Sequence, residues 1–201
     1  MGSDLSFTSL LHEQDSQGET PLSFAVKLGH KQTVEVLLGH GANPNTRNYR
    51  QEPLLSHPVL SNQFEIAKML VASGADPTVQ DLMGRTALLV AINSGHLQMY
   101  QMLSASSFGS QHQATAVVRC PLLDAVQTCL FNRKPDSIAL LKTVIHARDC
   151  QMEVKNGQGK TALHLAVHFG DVEVASILML AGASVLAKDG DGLTPLYYAV
   201  K

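Results

Sequence analysis

Thr20-Pro21-Leu22-Ser23-Phe24-Ala25 decides the reading of this chain, because the stretch comes back. It returns as Thr86-Ala87-Leu88-Leu89-Val90-Ala91, as Thr161-Ala162-Leu163-His164-Leu165-Ala166 and as Thr194-Pro195-Leu196-Tyr197-Tyr198-Ala199. Two degraded copies lie between, Glu52-Pro53-Leu54-Leu55-Ser56-His57 and Cys120-Pro121-Leu122-Leu123-Asp124-Ala125. Thr20 to Thr86 is 66 residues, two periods of 33, and Thr161 to Thr194 is 33 again. A second apolar segment follows each of the first five copies: Val34-Glu35-Val36-Leu37-Leu38 before Gly41-Ala42, Ala67-Lys68-Met69-Leu70-Val71 before Gly74-Ala75, and Ala175-Ser176-Ile177-Leu178-Met179 before Gly182-Ala183 are the clearest. A fixed period of this size predicts stacked small units rather than one central core.

Each part of the unit has a physical reason. The Thr20 hydroxyl suits a helix N-cap, and Pro21 suits the first turn, where its missing N–H would be unpaired anyway. Leu22 and Ala25 lie three apart on one helical face, and the small Ala lets neighbouring helices approach. Gly29, Gly95 and Gly170 stand where the first helix should end. Val34, Leu37 and Leu38 predict a buried stripe on the second helix. Asp15-Ser16-Gln17-Gly18 and Asp81-Leu82-Met83-Gly84 carry turn chemistry for a hairpin leading into each unit.

On these motifs the chain resembles the ankyrin repeat family, from about residue 15 to residue 201. The resemblance implies an all-α solenoid of stacked helix-turn-helix units with hairpin loops. The expected organisation is a capping helix in 1–14, repeats at 15–46, 47–78 (irregular) and 79–104, a Ser/Gln-rich flexible insert at 105–117, an extended repeat at 118–154, a repeat at 155–187 and a partial one at 188–201. Leu5–His12 has helical spacing of Phe7, Leu10 and Leu11. Because the chain stops inside a first helix, a fragment of a longer protein is expected.

Repeat two departs from the pattern. Arg50 stands where the others carry Gly18, Gly84, Gly159 and Gly192. Pro58 falls inside the first helix and should kink or shorten it, at about 3 kcal/mol if unrelieved. Either His57 or Pro58 replaces the small Ala, depending on register. Repeat four is longer than its neighbours, with the extra residues expected around Phe131–Pro135 and His146–Asn156.

Composition narrows the function. The net charge of −2 lacks the basic surplus of a nucleic-acid binder. Three cysteines, Cys120, Cys129 and Cys150, argue against a disulfide framework and for a reducing, intracellular setting, cytoplasmic or nuclear. No apolar run approaches the roughly 20 residues of a membrane helix, and no secretory signal is visible.

Local hints of chemistry have plainer readings. Gly159-Lys160-Thr161 matches the end of a phosphate loop, but Val154 stands where that loop needs its first glycine. Cys120 and Cys129 are too far apart for a usual structural zinc pair, so buried thiols are expected. His30 and His96 follow helix-ending glycines, and His164 should bond locally to Thr161 and backbone. Met1-Gly2-Ser3-Asp4-Leu5-Ser6 fits the myristoylation pattern, and equally a cloning remnant. Asn45 resembles the hairpin asparagine hydroxylated in some ankyrin proteins, and reads as a turn-former. No catalytic constellation, cofactor or metal is expected, and no small-molecule substrate.

The resemblance implies binding on a concave face of hairpin tips and first-helix ends. Mapped onto this chain, the candidates are Lys27 and Leu28, Tyr49 with its register open, Leu82, Met83, Arg85 and Asn93, then Lys160, His168, Phe169, Asp191 and Leu193. Leu28, Tyr49, Leu82, Met83, Phe169 and Leu193 are apolar where solubility alone favours polar residues. The expectation is a protein-recognition scaffold, or the recruiting region of a larger enzyme or ligase adaptor. The partner's identity and the oligomeric state are not legible.

Overall fold

The structure, a computed structural model, describes residues 10–107, 121–132, 136–147 and 150–200. Among them the chain is all-α, with one isolated antiparallel bridge between Arg47 and Pro53. The helices are α1 (Pro21–Lys27), α2 (Lys31–Gly39), α3 (Ser56–Leu60), α4 (Phe64–Ala72), α5 (Ala87–Asn93), α6 (Leu97–Ser107), α7 (Pro121–Asn132), α8 (Ser137–Ile145), α9 (Ala162–His168), α10 (Val172–Leu180) and α11 (Pro195–Val200). Contacts divide the chain into two bodies, residues 1–91 with 98–113 and residues 92–97 with 114–201.

Within each body, first helices pack on first helices. In the first body α1 lies on α3 and α2 on α4; in the second, α9 is flanked by α7 and α11. The buried faces follow the motif: Leu22, Ala25 and Val26 of α1, and Leu163, His164 and Ala166 of α9 are under solvent-free contact. Small Ala at the fixed position allows that approach. On α2 only Val34 of the expected stripe is fully buried, while Leu37 and Leu38 are half-buried.

The caps read as expected from the sequence. Thr20 N donates to Ser23 Oγ at 2.8 Å and Ser23 N to Thr20 Oγ1 at 3.2 Å, so two helix-end donors are satisfied reciprocally. Thr161 N donates to His164 Nδ1 at 3.2 Å. That makes Nδ1 an acceptor and puts the ring proton on Nε2, which donates to Leu193 O at 3.1 Å. His164 is therefore a buried clip between repeats five and six.

Repeat two settles into a register one residue later than its motif suggests. Gln63 N donates to Pro58 O at 2.8 Å, as His30 N does to Ala25 O and Asp171 N to Ala166 O. Pro58, not His57, holds the place of the small Ala. The glycine equivalent at the hairpin is then Gln51 (φ 56°), not Arg50, and Asn62 (φ 55°) replaces the helix-ending glycine. Pro58 has no N–H to give Leu54 O, so the first turn is not helical; Ser56 N bonds Pro53 O and His57 N bonds Leu54 O instead. α3 is five residues long where α1 and α5 are seven.

Two further differences concern the irregular segments. Helix α6 continues through Ser104–Ser107, part of which was expected to belong to the flexible insert; residues 108–117 lie outside the described residues. Of the lengthened repeat four, Phe131 and Asn132 form the end of a twelve-residue α7 rather than a loop. The expected capping helix and the myristoylation pattern fall mainly on residues 1–9, outside the described residues; Leu10 is helical and Leu11 buried.

Candidate partner-binding surface

Five hairpins are built alike. Asp15, Asn48, Asp81, Asn156 and Asp189 each accept, on one side-chain oxygen, the N–H groups two and four residues ahead, at 2.8–3.0 Å. A carboxylate or amide oxygen at this position organises the turn from inside. Its third residue on is glycine, or Gln51, with positive φ. Neighbouring tips touch through backbone: Tyr49 N donates to Gln17 O at 3.0 Å, and Gly190 N to Gln158 O at 3.1 Å. A Cβ on Gly18 would stand 2.8 Å from Tyr49 N, and one on Gly159 would overlap Gly190 N, so close approach as well as φ requires glycine there.

These hairpins fix what stands on them. In the first body Leu82 and Met83, on the tip held by Asp81, are 78% and 70% exposed. Arg85 is not free: its Nε donates to Asp81 Oδ2 at 2.8 Å. Burial would raise the Asp81 pKa, but the N–H groups of Arg85 and Met83 and the guanidinium together hold it below the ordinary carboxylate value. Lys27 pairs with buried Glu19. Leu28 is exposed beyond α1. Tyr49 is exposed, and its hydroxyl accepts from Arg50 Nε at 2.6 Å.

The second body gathers its candidates around rings. His168 and Phe169 stand at right angles, 5.2 Å apart, and each meets another ring: Tyr198 at 5.4 Å from His168, Phe131 at 5.0 Å from Phe169. Lys160 lies 4.8 Å over the Tyr198 ring. Tyr198 donates to Asp189 at 2.7 Å, which pushes its pKa up to about 12. Asp191 is exposed on its tip; Asn93 is exposed at the end of α5. Leu193 is half-buried, and its backbone is held at both ends: its carbonyl receives His164 and its N–H is bonded to Asp189. Phe131, Tyr197 and Tyr198 were missed from sequence. Phe131 was read as insert, and the two tyrosines as motif positions.

The remaining sequence hints resolve structurally. Cys129 is buried, with its thiol donating to Ser137 O at 3.2 Å. Burial first, then Asp171 and Glu173, push its pKa up to about 11. Cys150 is half-buried, and Cys120 lies outside the described residues. Gly159-Lys160-Thr161 forms hairpin and helix cap. Asn45 clips repeats together: Nδ2 donates to Gly74 O at 2.9 Å and Oδ1 accepts from Asp76 N at 2.8 Å. Glu153 does the same for Ser184 N at 2.7 Å in the second body. Among the described residues no helix is long and apolar enough to cross a membrane, and no three His, Cys, Asp or Glu side chains come together as a metal site.

The comparisons agree with this geometry. A family model described as ankyrin repeats (3 copies) matches residues 4–81 and 122–201. The NF-kappa-B inhibitor cactus of Drosophila melanogaster is 27% identical over 94% of this chain and 36% of its own length. The probable E3 ubiquitin-protein ligase XBOS33 of Oryza sativa subsp. japonica is 32% identical over 84% of this chain and 32% of its own length. The chain thus spans about a third of each of these relatives. The crystal structure of the ankyrin repeat domain of Bcl-3 superposes with a TM-score of 0.79 at 23% identity, covering 98% of this chain and 86% of that one. The chain belongs to the ankyrin repeat family.

Proposed function

We propose that the chain is a recognition module that captures a partner protein or peptide on its hairpin tips and first-helix ends, with no chemistry done on the partner. The supporting observation is Leu82 and Met83: two large apolar side chains in water, on a turn whose backbone is pinned by Asp81. A rigid, exposed apolar pair gives binding surface at small ordering cost. Leu28 and Tyr49 extend that surface in the first body. In the second, Phe169 and His168 provide it, together with the exposed rings of Phe131 and Tyr197, and Asp191 is its polar member. Asn93 is an exposed polar candidate. Lys27, Arg85, Lys160 and Leu193 act by holding neighbours in place, and less by direct contact. The module works inside the cell, in cytoplasm or nucleus, a reading supported by its unpaired-cysteine composition.

A second reading has support in the relatives. Cactus is named as an inhibitor and XBOS33 as a ligase, and each is about three times longer than the matched region. This array could serve as the recruiting part of such a longer protein. One experiment addresses both: pull-down with the wild-type chain and with Leu82→Glu/Met83→Glu, followed by mass spectrometry. The double variant should lose its partners, at least about tenfold in affinity for two lost apolar anchors, with circular dichroism unchanged. Undiminished capture rules out this patch. A ligase or inhibitor complex among the specific partners selects between the readings.

A further inference from the structure

Repeat five carries the only Asn-Gly pair of the chain, Asn156-Gly157, at the residue that organises its hairpin. Asparagine is a thermolabile side chain. Its amide carbon is open to attack by the next backbone nitrogen, and glycine leaves that nitrogen unshielded. Three features of the turn favour this attack. Asn156 Oδ1 accepts from Gln158 N at 2.9 Å and from Lys160 N at 3.0 Å, so two donors face the negative charge that attack builds on this oxygen. Asn156 N and Gly159 N are also engaged, with Lys160 O and Asn156 O, each at 2.9 Å. Gly157 N is the one amide of residues 156–160 outside these bonds. Gly157 is exposed, and a Cβ built on it would meet nothing within 4 Å.

The other hairpins lack this combination. Asn48 is held in the same way, but the next nitrogen belongs to Tyr49 and donates to Gln17 O at 3.0 Å. Gly190 follows Asp189, but its nitrogen donates to Gln158 O at 3.1 Å, and Asp189 has no amide to lose. Asp81 shows what a carboxylate does at this place: its Oδ2 accepts from Nε of Arg85, four residues on, at 2.8 Å. Lys160 stands four residues on from Asn156, and its Nζ lies 4.8 Å over the Tyr198 ring instead.

We propose that Asn156 is a site of spontaneous deamidation, and that the aspartate formed draws Lys160 off the Tyr198 ring into the ion pair that repeat three already has. Solvent base takes the amide proton of Gly157, and its nitrogen forms a bond to Asn156 Cγ. The Cγ–Nδ2 bond breaks, and Nδ2 takes a proton from water and leaves as ammonia. Water then opens the five-membered imide. Cleavage of the new N–Cγ bond gives aspartate in the original backbone, the residue that Asp15, Asp81 and Asp189 already supply. Cleavage at the main-chain carbonyl gives isoaspartate, which lengthens the backbone inside the turn that packs on Gly190. The net reaction consumes water, releases ammonia and adds a negative charge to a hairpin tip of the second body.

The test is incubation of the full chain in mildly alkaline buffer, followed by peptide mapping with mass spectrometry. Asn156 should convert severalfold faster than Asn48. It should also convert faster in the folded chain than in urea, where the two donors on Oδ1 are lost. Gly157→Ala, which the open space around Gly157 admits, should suppress conversion with circular dichroism unchanged. In Asn156→Asp the side-chain NMR resonances of Lys160 should lose the ring-current shift that Tyr198 imposes. Conversion no faster than at Asn48, slower in the folded chain than in urea, or undiminished in Gly157→Ala overturns the site. Ring-shifted Lys160 resonances that persist in Asn156→Asp overturn the ion pair.

Discussion

Repeats two and five start from the same hairpin and arrive at different helices. In repeat five, Asn156 organises the turn, Gly159 takes positive φ at no side-chain cost, and Thr161 with His164 caps a seven-residue α9. In repeat two, Asn48 organises the turn equally well, but Gln51 bears the positive φ and Pro58 removes the first turn of α3. The lesson is that hairpin and helix are specified separately. A turn held by one side-chain oxygen survives a degraded helix behind it. Beside the shortened helix lies a cavity of about 120 Å³ whose wall includes Pro53, Leu54, Ser56, His57 and Leu60.

The largest test of this contrast is Gly159→Val. It combines a left-handed β-branched residue with overlap on Gly190, and should cost about 4 kcal/mol in urea unfolding, the sum of typical strain and overpacking costs. An effect below about 1 kcal/mol would mean that the tips are not closely stacked. His164→Leu comes next. It keeps the volume but leaves Leu193 O and Thr161 N without their buried partner, and should cost about 2 kcal/mol. A neutral outcome would remove the clip that distinguishes repeat five.

Repeat two should respond in the opposite direction. Pro58→Ala restores the N–H and the small residue found in the other repeats, and should extend α3 and stabilise by about 1 kcal/mol, or 2–4 °C in melting temperature. Gln51→Gly relieves the left-handed side chain but frees the unfolded chain, so its gain should be smaller, at most about 1 kcal/mol. Destabilisation by both would show repeat two to be adapted to its own geometry.

The smallest effect concerns the neighbouring repeat four and its thiol. Cys129 titrates near 9.0 when unfolded and about 11 when folded. Folding therefore holds a proton that the unfolded chain releases. The associated stability is fully present below pH 9 and is lost as pH rises through about 11. The melting temperature should fall across that interval, and Cys129→Ala should flatten the fall.

Some of this was open to reading along the chain, because it rests on local chemistry. The 33-residue recurrence, the Thr caps and the helix-closing glycines act within one turn of their own position, so the all-α repeat and its family could be inferred before any coordinates. Leu82 and Met83 were legible for the same reason: a hairpin tip points its side chains outward whatever its neighbours are. Repeat two was harder to read, since Glu52-Pro53-Leu54-Leu55 resembles the motif one residue early; the 33-residue period from Thr20 falls on Pro53, and the bond from Gln63 to Pro58 follows that later register.

Sequence alone thus determined the repeating unit, because periodic burial and capping are written residue by residue. Tertiary structure decided which candidates are free and which are occupied. Leu193 is half-buried with its carbonyl bonded by His164, Lys160 lies on Tyr198, and Phe131 meets Phe169 across repeats. Those outcomes depend on side chains some thirty residues apart in sequence meeting in space, and the distance between such residues is set by packing, which no local pattern encodes.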